Sequence, residues 1–289
     1  MDISTQLKSF DWAGMPDERW GIRTPVEKDK SSGLATAKAS GNTVNDTEPP
    51  NFLFEGSPEG YIKLADQAIG ALSRSNSPDA SKLQKEPFGP ITPTHLRVEA
   101  DLIAPITNYL LTPVQMAINA LFDDAFIISH EVSKVGARVD VTFSTYEPKI
   151  PTVTPVTYRT VLLVELKRRS LINPGQWRTA IKESNKRMGG WTWDTLDHCC
   201  YFMKQAAHYC KAYRQNFVVI CDYDSMILLE FWDMDNDHRP NKVDVTIVNT
   251  DFRKVLLGFM IKACLAQNLK RQSEYNNIVF KTTRQDFNL

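Results

Sequence analysis

The sequence lacks the features that mark secreted and membrane proteins. It has only five cysteines in 289 residues, an odd number with no Cys-x-x-Cys pair. That count argues against a disulfide framework and for a reducing, intracellular setting, in the nucleus or the cytoplasm. The first residues, MDISTQLKSFDW, do not show the basic and then apolar pattern of a secretory signal. No uncharged apolar run reaches the roughly 18 residues that a bilayer span requires, so we expect no membrane partner.

The sequence also has no excess of charge of either sign. Its 34 basic residues balance 34 acidic ones, and 42% of its residues are hydrophobic. Those values are ordinary for a globular protein, and the length is enough for one sizeable domain with a tail. A chain without net charge has no global field that attracts nucleic acid, so an anionic partner must bind to a local patch.

Composition divides the chain near residue 92. Two polar stretches, 28–50 and 73–93, contain too few apolar residues to offset the entropy of ordering them. A short helix is predicted between them, over 61–72. We therefore predict a flexible or docking N-terminal extension, 1–92, followed by one folded domain, 93–289. A homodimer or a protein partner bound through the extension stays open.

The order of the predicted elements indicates an α/β fold with a mixed central β-sheet flanked by helices. A helix begins after Thr94, which can cap it, and Pro105 is expected to kink or end that helix. A second helix follows over 113–122. The other predicted elements are strands at 125–130, 138–146 and 157–167, helices at 173–188 and 195–214, strands at 217–221, 226–232 and 243–248, and a closing helix at 251–267.

Two neighbouring strands carry ionisable side chains among apolar ones. Asp140 lies on the first strand, and Glu165 and Lys167 lie at the end of the second. Because successive side chains of a strand alternate between faces, Glu165 and Lys167 point the same way. Burying such charges without partners would be costly. A divalent cation facing a phosphate is the interpretation that accounts for both signs of charge.

The motifs around these residues resemble the PD-(D/E)XK nuclease superfamily, and most closely its RecB-like branch. A Gly-x-x-x-Asp strand is matched by residues 136–140, a Glu-x-Lys strand by 165–167, and a Gln-x-x-x-Tyr helix by 205–209. The resemblance covers roughly residues 94–232. It implies the αβββαβ core of restriction endonucleases. Val139 stands where many members of the superfamily have a proline.

The resemblance implies phosphodiester hydrolysis with Mg²⁺ or Mn²⁺ as cofactor. Asp140 and Glu165 offer the hard oxygen ligands that these ions prefer. The resemblance adds the backbone carbonyl of Leu166 as a ligand, and Glu99 on the first helix as a further acidic residue of the metal shell. Lys167 would orient or help to deprotonate the attacking water and offset charge on the phosphorane. The catalytic set is therefore Asp140, Glu165, Lys167 and Glu99.

A local basic patch beside this site indicates a nucleic-acid partner, with DNA favoured over RNA. It lies within residues 167–187, where Glu183 is the only acidic residue. The same stretch also fits a solvated basic helix. Trp177, Trp191 and Trp193 either stack on unpaired bases or, as we favour, pack in the core. The residues assigned to nucleic-acid binding are Arg168, Arg169, Arg178 and Lys182 and, from the resemblance, Gln205 and Tyr209.

Several readings remain open at this point. The first is a metal-dependent nuclease acting on DNA, with RNA as an alternative substrate. The second is a module of the same fold that binds nucleic acid or protein with little catalysis. The third is an effector or toxin that uses the domain, because fungal proteins with nuclease-like domains and polar extensions resemble the chain in outline. A purely structural alternative is that Asp140 pairs with Arg138 or Lys167 at solvated strand ends.

Overall fold

A seven-stranded mixed β-sheet forms the centre of the computed structural model. The model describes residues 47–74, 102–134, 136–146, 158–168, 170–186, 198–222 and 224–269. The strands are β1 (Phe52–Glu55), β2 (Phe126–Lys134), β3 (Ala137–Tyr146), β4 (Tyr158–Leu166), β5 (Phe217–Cys221), β6 (Met226–Met234) and β7 (Pro240–Val248). Their order in the sheet is β1-β7-β6-β5-β4-β3-β2. The pairs β1–β7 and β4–β5 are parallel and the others are antiparallel.

Helices flank this sheet, which confirms the predicted α/β class. They are α1 (Pro58–Leu72), α2 (Ile103–Ile106), a π-helical turn (Thr107–Leu111), α3 (Thr112–Leu121), α4 (Pro174–Lys186), α5 (His198–Tyr213) and α6 (Phe252–Ala266). The predicted strands and helices from 113 to 267 are all present, and the ends that fall within the described residues differ by at most four positions, as where β2 ends at residue 134 rather than 130. In the described part of the chain, no helix has the length and apolarity to cross a membrane.

Two apolar layers, one on each face of the sheet, hold these elements together. Helices α4 and α5 cover one face, where Leu163 of β4 packs with Trp177 and Met203. Helices α1, α3 and α6 cover the other face, where Leu162 and Val164 of β4 are buried. A strand that is apolar on both faces is expected in the centre of a doubly covered sheet. Ionisable side chains on such a strand are therefore exceptional and mark a site.

Residues 52–72 supply a strand and a helix to this core, although the sequence places them in the extension. β1 pairs in parallel with β7 at the edge of the sheet. Ser57 caps α1 by accepting the N–H of Glu59, and Pro58 takes the first helical position. Tyr61 and Leu64 of α1 are buried in the core. The helix predicted over 61–72 is confirmed with an earlier start, whereas the predicted boundary at residue 92 lies outside the described residues.

A π-helical turn joins α2 to α3 near two prolines. The helix does not end at Pro105 but continues through the turn into α3. Pro113 has no N–H, so the carbonyl of Tyr109 lacks its usual partner four residues on. The Nε of Arg253, in the first turn of α6, donates to that carbonyl instead. Burial lowers the pKa of Arg253 to about 10, and its contact ties α6 to the turn.

Gly258 allows α6 to cross α1 at close range. A Cβ atom added there would lie 1.9 Å from the carbonyl oxygen of Tyr61 and 2.7 Å from its Cα. Both are backbone atoms, so no change of rotamer relieves the overlap. We expect Gly258→Ala to lower the free energy of unfolding by about 3 kcal/mol, measured by urea denaturation. The matched control is Gly70→Ala on α1, where an added Cβ meets no atom within 4 Å. Equal losses in the two variants would contradict this account of the helix crossing.

Candidate active site

The end of β4 places a carboxylate and an ammonium group side by side. Glu165 and Lys167 are only 5% and 6% exposed. The Nζ of Lys167 lies 2.6 Å from Oε1 of Glu165, which confirms that the two side chains share a face. The N–H of Lys167 donates to the carbonyl of Cys221 on β5 at 2.8 Å, so its backbone is fixed as well. Each charge is the main compensation for burying the other.

Helix α5 supplies two further donors to the same carboxylate. Gln205 and Tyr209 lie one turn apart and are buried. Nε2 of Gln205 donates to Oε1 of Glu165 at 2.6 Å and to the hydroxyl oxygen of Tyr209 at 2.6 Å. The hydroxyl of Tyr209 can donate its one proton to Oε2 of Glu165, at 2.9 Å, or to the carbonyl of Arg138, at 2.7 Å. Together with Lys167, three protein groups hold the two oxygens of Glu165.

The hydroxyl of Tyr209 stays protonated in this environment. Burial raises the pKa of Tyr209 well above its usual value, and the negative charges of Glu165 and Asp140 raise it further. A protonated phenol is a hydrogen-bond donor, as the orientation of Glu165 requires. Since Asp140 also acts on this hydroxyl, its carboxylate belongs to the same electrostatic environment as that of Glu165.

Asp140 lies at a break in the alternation of faces along β3. Regular pairing between β3 and β4 runs only up to Val141. Val139 packs in the layer under α5 and Val141 packs in the opposite layer, so the alternation of faces breaks at Asp140. The half-buried carboxylate of Asp140 then accepts the N–H of Leu166 at 2.7 Å through Oδ2. An acidic side chain therefore replaces a backbone acceptor at the residue that follows Glu165.

Phe202 is a contact that the sequence analysis did not predict. The Nζ of Lys167 lies 5.4 Å from the centre of the Phe202 ring, within the range of a cation–π interaction. Phe202, Gln205 and Tyr209 follow one another by three and four residues, and this spacing places them on one face of α5. The spacing of Phe202, Gln205 and Tyr209 in the sequence could have indicated this contact. One face of α5 thus surrounds both charges at the end of β4.

The structural alternative stays a prediction for the pairing of Asp140, but solvated strand ends do not describe Glu165 and Lys167, which are buried. Arg138 pairs with Glu131 at 3.1 Å, and both side chains are exposed. Lys167 pairs with Glu165 rather than standing at a solvated strand end. The site is therefore a buried polar cluster.

The remaining predicted site residues lie around this cluster or outside the described part of the chain. Arg168 follows Lys167 directly and is partly buried, whereas Arg178 and Lys182 are exposed on α4. Glu99 and Arg169 fall outside the described residues, so their placement stays a prediction.

The remaining candidates are the tryptophans, as stacking residues, and the cysteines, as metal ligands. Trp177 is 1% exposed and packs in the layer of α5, which confirms core packing; Trp191 and Trp193 lie outside the described residues. The five cysteines are all buried. Within the described ranges, no group of three or more His, Cys, Asp and Glu side chains is placed to hold a metal ion.

Asp222 fixes the loop that follows Lys167. It is buried at the end of β5, where its Oδ2 accepts the N–H of Ile172 at 2.8 Å. Its Oδ1 accepts the N–H groups of Asp224 and Ser225 at 2.8 and 2.7 Å. Burial raises the pKa of Asp222 to about 7, although the three N–H donors act to lower it. One carboxyl group thus joins the loop after β4 to the turn after β5.

We expect the contribution of Asp222 to stability to fall as the pH rises from about 4 to about 7. An unfolded aspartate ionises near pH 4, whereas the folded group ionises near 7. Between these values the folded protein binds up to one more proton, so the free energy of unfolding decreases with rising pH. The measurement is urea denaturation across this range for the wild type and for Asp222→Asn, which cannot titrate. The same slope in both proteins would rule out this assignment.

The cluster of Asp140, Glu165, Lys167, Gln205 and Tyr209 is the main candidate site of the described residues. Its members come from β3, β4 and α5 and meet at the end of one central strand. Comparisons of the chain with protein-family models, with curated proteins and with solved structures find no match. Function is therefore inferred from the chemistry of the site.

Proposed function

We propose that the chain is a metal-dependent nuclease that hydrolyses phosphodiester bonds of DNA, with RNA as the alternative substrate. The observation that carries the proposal is the buried contact between Lys167 and Glu165, with Asp140 on the neighbouring strand. A fold does not need such a pair, because apolar side chains of similar size are often as stabilising as a buried ion pair. Charges held together at this cost are candidates for chemical use.

The oxygen donors of the site fit Mg²⁺ or Mn²⁺. Oδ2 of Asp140 contacts the backbone of Leu166, the residue after Glu165, and the carbonyl of Leu166 is a further oxygen donor. A carboxylate has about four lone-pair positions, and three donors contact Glu165, so one position remains. Oε1 of Gln205 is buried and has no hydrogen-bond partner among the described residues. An acceptor in that position suits a water molecule of a hydrated ion, and Mg²⁺ keeps several waters beside one or two carboxylates.

Each residue of the site has a defined role in the proposed reaction. The bound cation would polarise the phosphate and lower the pKa of a bound water. Lys167, held between Glu165 and the ring of Phe202, would place positive charge against the phosphate oxygens and orient the attacking water. Gln205 and Tyr209 hold both oxygens of Glu165 and thereby fix its direction. Glu99 is retained as a proposed member of the metal shell.

The basic side chains near the site would hold the nucleic-acid backbone. Arg168 adjoins Lys167 in sequence, and Arg178 and Lys182 are exposed on α4, the helix that follows. Arg169 belongs to the same proposed set. Since phosphate contacts release counterions, binding is expected to weaken steeply as the salt concentration rises.

Cleavage assays test the proposal directly. Purified protein is incubated with supercoiled plasmid, single-stranded DNA and RNA, in Mg²⁺, in Mn²⁺ and in EDTA. We expect cleavage of DNA with either metal and none in EDTA. Cleavage of RNA alone would move the substrate to the alternative.

A second candidate function is a binding module of the same fold. It is favoured by the mutual neutralisation of Glu165 and Lys167, which satisfies both charges without a metal. Salt-sensitive binding of DNA without cleavage under any of these conditions would select this function over the nuclease.

A further inference from the structure

A pocket of about 410 Å³ lies at the opposite end of β4 from the candidate active site. The first residues of β4, the connection from α5 to β5, the end of β2 and the end of α6 line it. Tyr158 in its wall precedes Glu165 by seven positions on β4. At about 3.3 Å per residue, that spacing separates the two sites by roughly 23 Å. The pocket shares no residue with the proposed nuclease site and is independent of that proposal.

Among the described residues that line this pocket, three are cations and none is acidic. Lys134, Arg159 and Arg214 line it, and none of the three forms an ion pair within the described residues. Arg159 uses one of its five N–H groups to donate a hydrogen bond to the carbonyl of Gln267, at 2.9 Å. Lys134 lies over the ring of Tyr213, 5.8 Å from its centre. In a chain without net charge, this is a local excess of positive charge that attracts an anion.

The ends of two helices account for only part of this arrangement. α5 and α6 end at the pocket, and cations near a helix C-terminus interact favourably with its partial negative charge. That effect explains the contact of Arg159 with Gln267. It does not explain Lys134, which is the last residue of β2 and whose described contact is with the ring of Tyr213. The charge of Lys134 is therefore available to a ligand.

An exposed aromatic ring stands at the start of β4. Tyr158 is 57% exposed. Among the described residues, it is the one large hydrophobic side chain that is exposed. Tyr158 and Arg159 are consecutive residues of β4 and both line the pocket, so one pocket offers an aromatic ring and a phosphate-binding guanidinium. Aromatic rings exposed beside cations are the usual platform for stacking of a base. Tyr213 is a fixed part of the wall, because its hydroxyl donates to the carbonyl of Val132 at 2.6 Å.

We propose that this pocket binds a nucleotide, with the phosphate held by Lys134, Arg159 and Arg214 and the base stacked on Tyr158. The volume falls within the range of pockets for small ligands, which is about 300–1,000 Å³. Bidentate contact of a guanidinium with phosphate oxygens would fix the orientation of the bound phosphate. The candidate ligands share a terminal phosphate group, and the aromatic base distinguishes a nucleotide from a sugar phosphate or free phosphate.

Isothermal titration with AMP, ribose 5-phosphate and inorganic phosphate, all in EDTA, tests the proposal. We expect AMP to bind at one site and more tightly than either of the others. The double variant Lys134→Ala/Arg214→Ala should weaken binding of AMP at least tenfold, because each lost charged contact is typically worth about a factor of ten. The matched control Lys63→Ala/Arg74→Ala removes two exposed cations, on α1 and just after it, that do not line the pocket, and it should leave binding unchanged.

A second variant separates the two parts of the proposed ligand. Tyr158→Leu should weaken binding of AMP several-fold and leave binding of inorganic phosphate unchanged. Absence of AMP binding at millimolar concentration, or equal losses in the two double variants, would overturn the pocket as a nucleotide site. Equal affinity for AMP and ribose 5-phosphate would overturn the role of Tyr158.

Discussion

Asp140→Asn is expected to abolish metal-dependent cleavage and to leave the fold intact. The amide oxygen of asparagine can still accept the N–H of Leu166, which Oδ2 of Asp140 now accepts at 2.7 Å. The junction of β3 and β4 is therefore retained, and only the negative charge is lost. A ligand charge worth several kcal/mol to a bound cation corresponds to a loss of about 10³-fold or more in kcat/KM. Initial rates in Mn²⁺ measure the loss, and thermal unfolding reports the fold.

The matched control for this variant is Glu131→Gln. Glu131 is an exposed carboxylate on β2, the strand next to β3. Its removal changes the net charge by the same amount and lies outside the proposed site, so the cleavage rate should be unchanged. A rate for Asp140→Asn within tenfold of the wild type would contradict the proposed role of this carboxylate.

Removal of Lys167 alone should destabilise the protein more than removal of the whole pair. Lys167→Met leaves the carboxylate of Glu165 buried, with only Gln205 and Tyr209 as partners. Loss of one member of a buried pair typically costs 3–5 kcal/mol, and we expect about 3 kcal/mol here because two donors remain. Urea denaturation at pH 7 measures this loss.

The double variant Lys167→Met/Glu165→Gln tests the physical origin of that loss. It removes both charges of the buried pair, so it should be more stable than Lys167→Met by at least about 1 kcal/mol. Both variants should be inactive. If the double variant is no more stable than Lys167→Met, then the cost of burying the unpaired Glu165 carboxylate does not cause the loss of stability.

The periodicity of the sequence was sufficient to predict much of the site. Alternation along β4 placed Glu165 and Lys167 on one face, and their contact at 2.6 Å agrees. The four-residue spacing of Gln205 and Tyr209 placed them on one face of α5, where both contact Glu165. These are local relations, in which the geometry of one element decides which side chains are neighbours.

Other features depend on contacts between distant parts of the chain. β1 has four residues, too few for a period to show, and its partner β7 begins at residue 240. The contact of Asp140 with the N–H of Leu166 depends on the break in β3, which no residue type announces. The acceptor for Arg253 arises because Pro113 removes a helical donor, yet only the packing of α6 brings the two together. Such features require the tertiary structure.

The most direct test of the account is an anomalous difference map from crystals grown or soaked in Mn²⁺. The account predicts a peak about 2.1 Å from carboxylate oxygens of both Asp140 and Glu165, and its absence from crystals of Asp140→Asn. A manganese peak elsewhere in the map would contradict the proposed metal-dependent site. In that result Asp140 would still accept the N–H of Leu166, and Glu165 would contact only its protein donors.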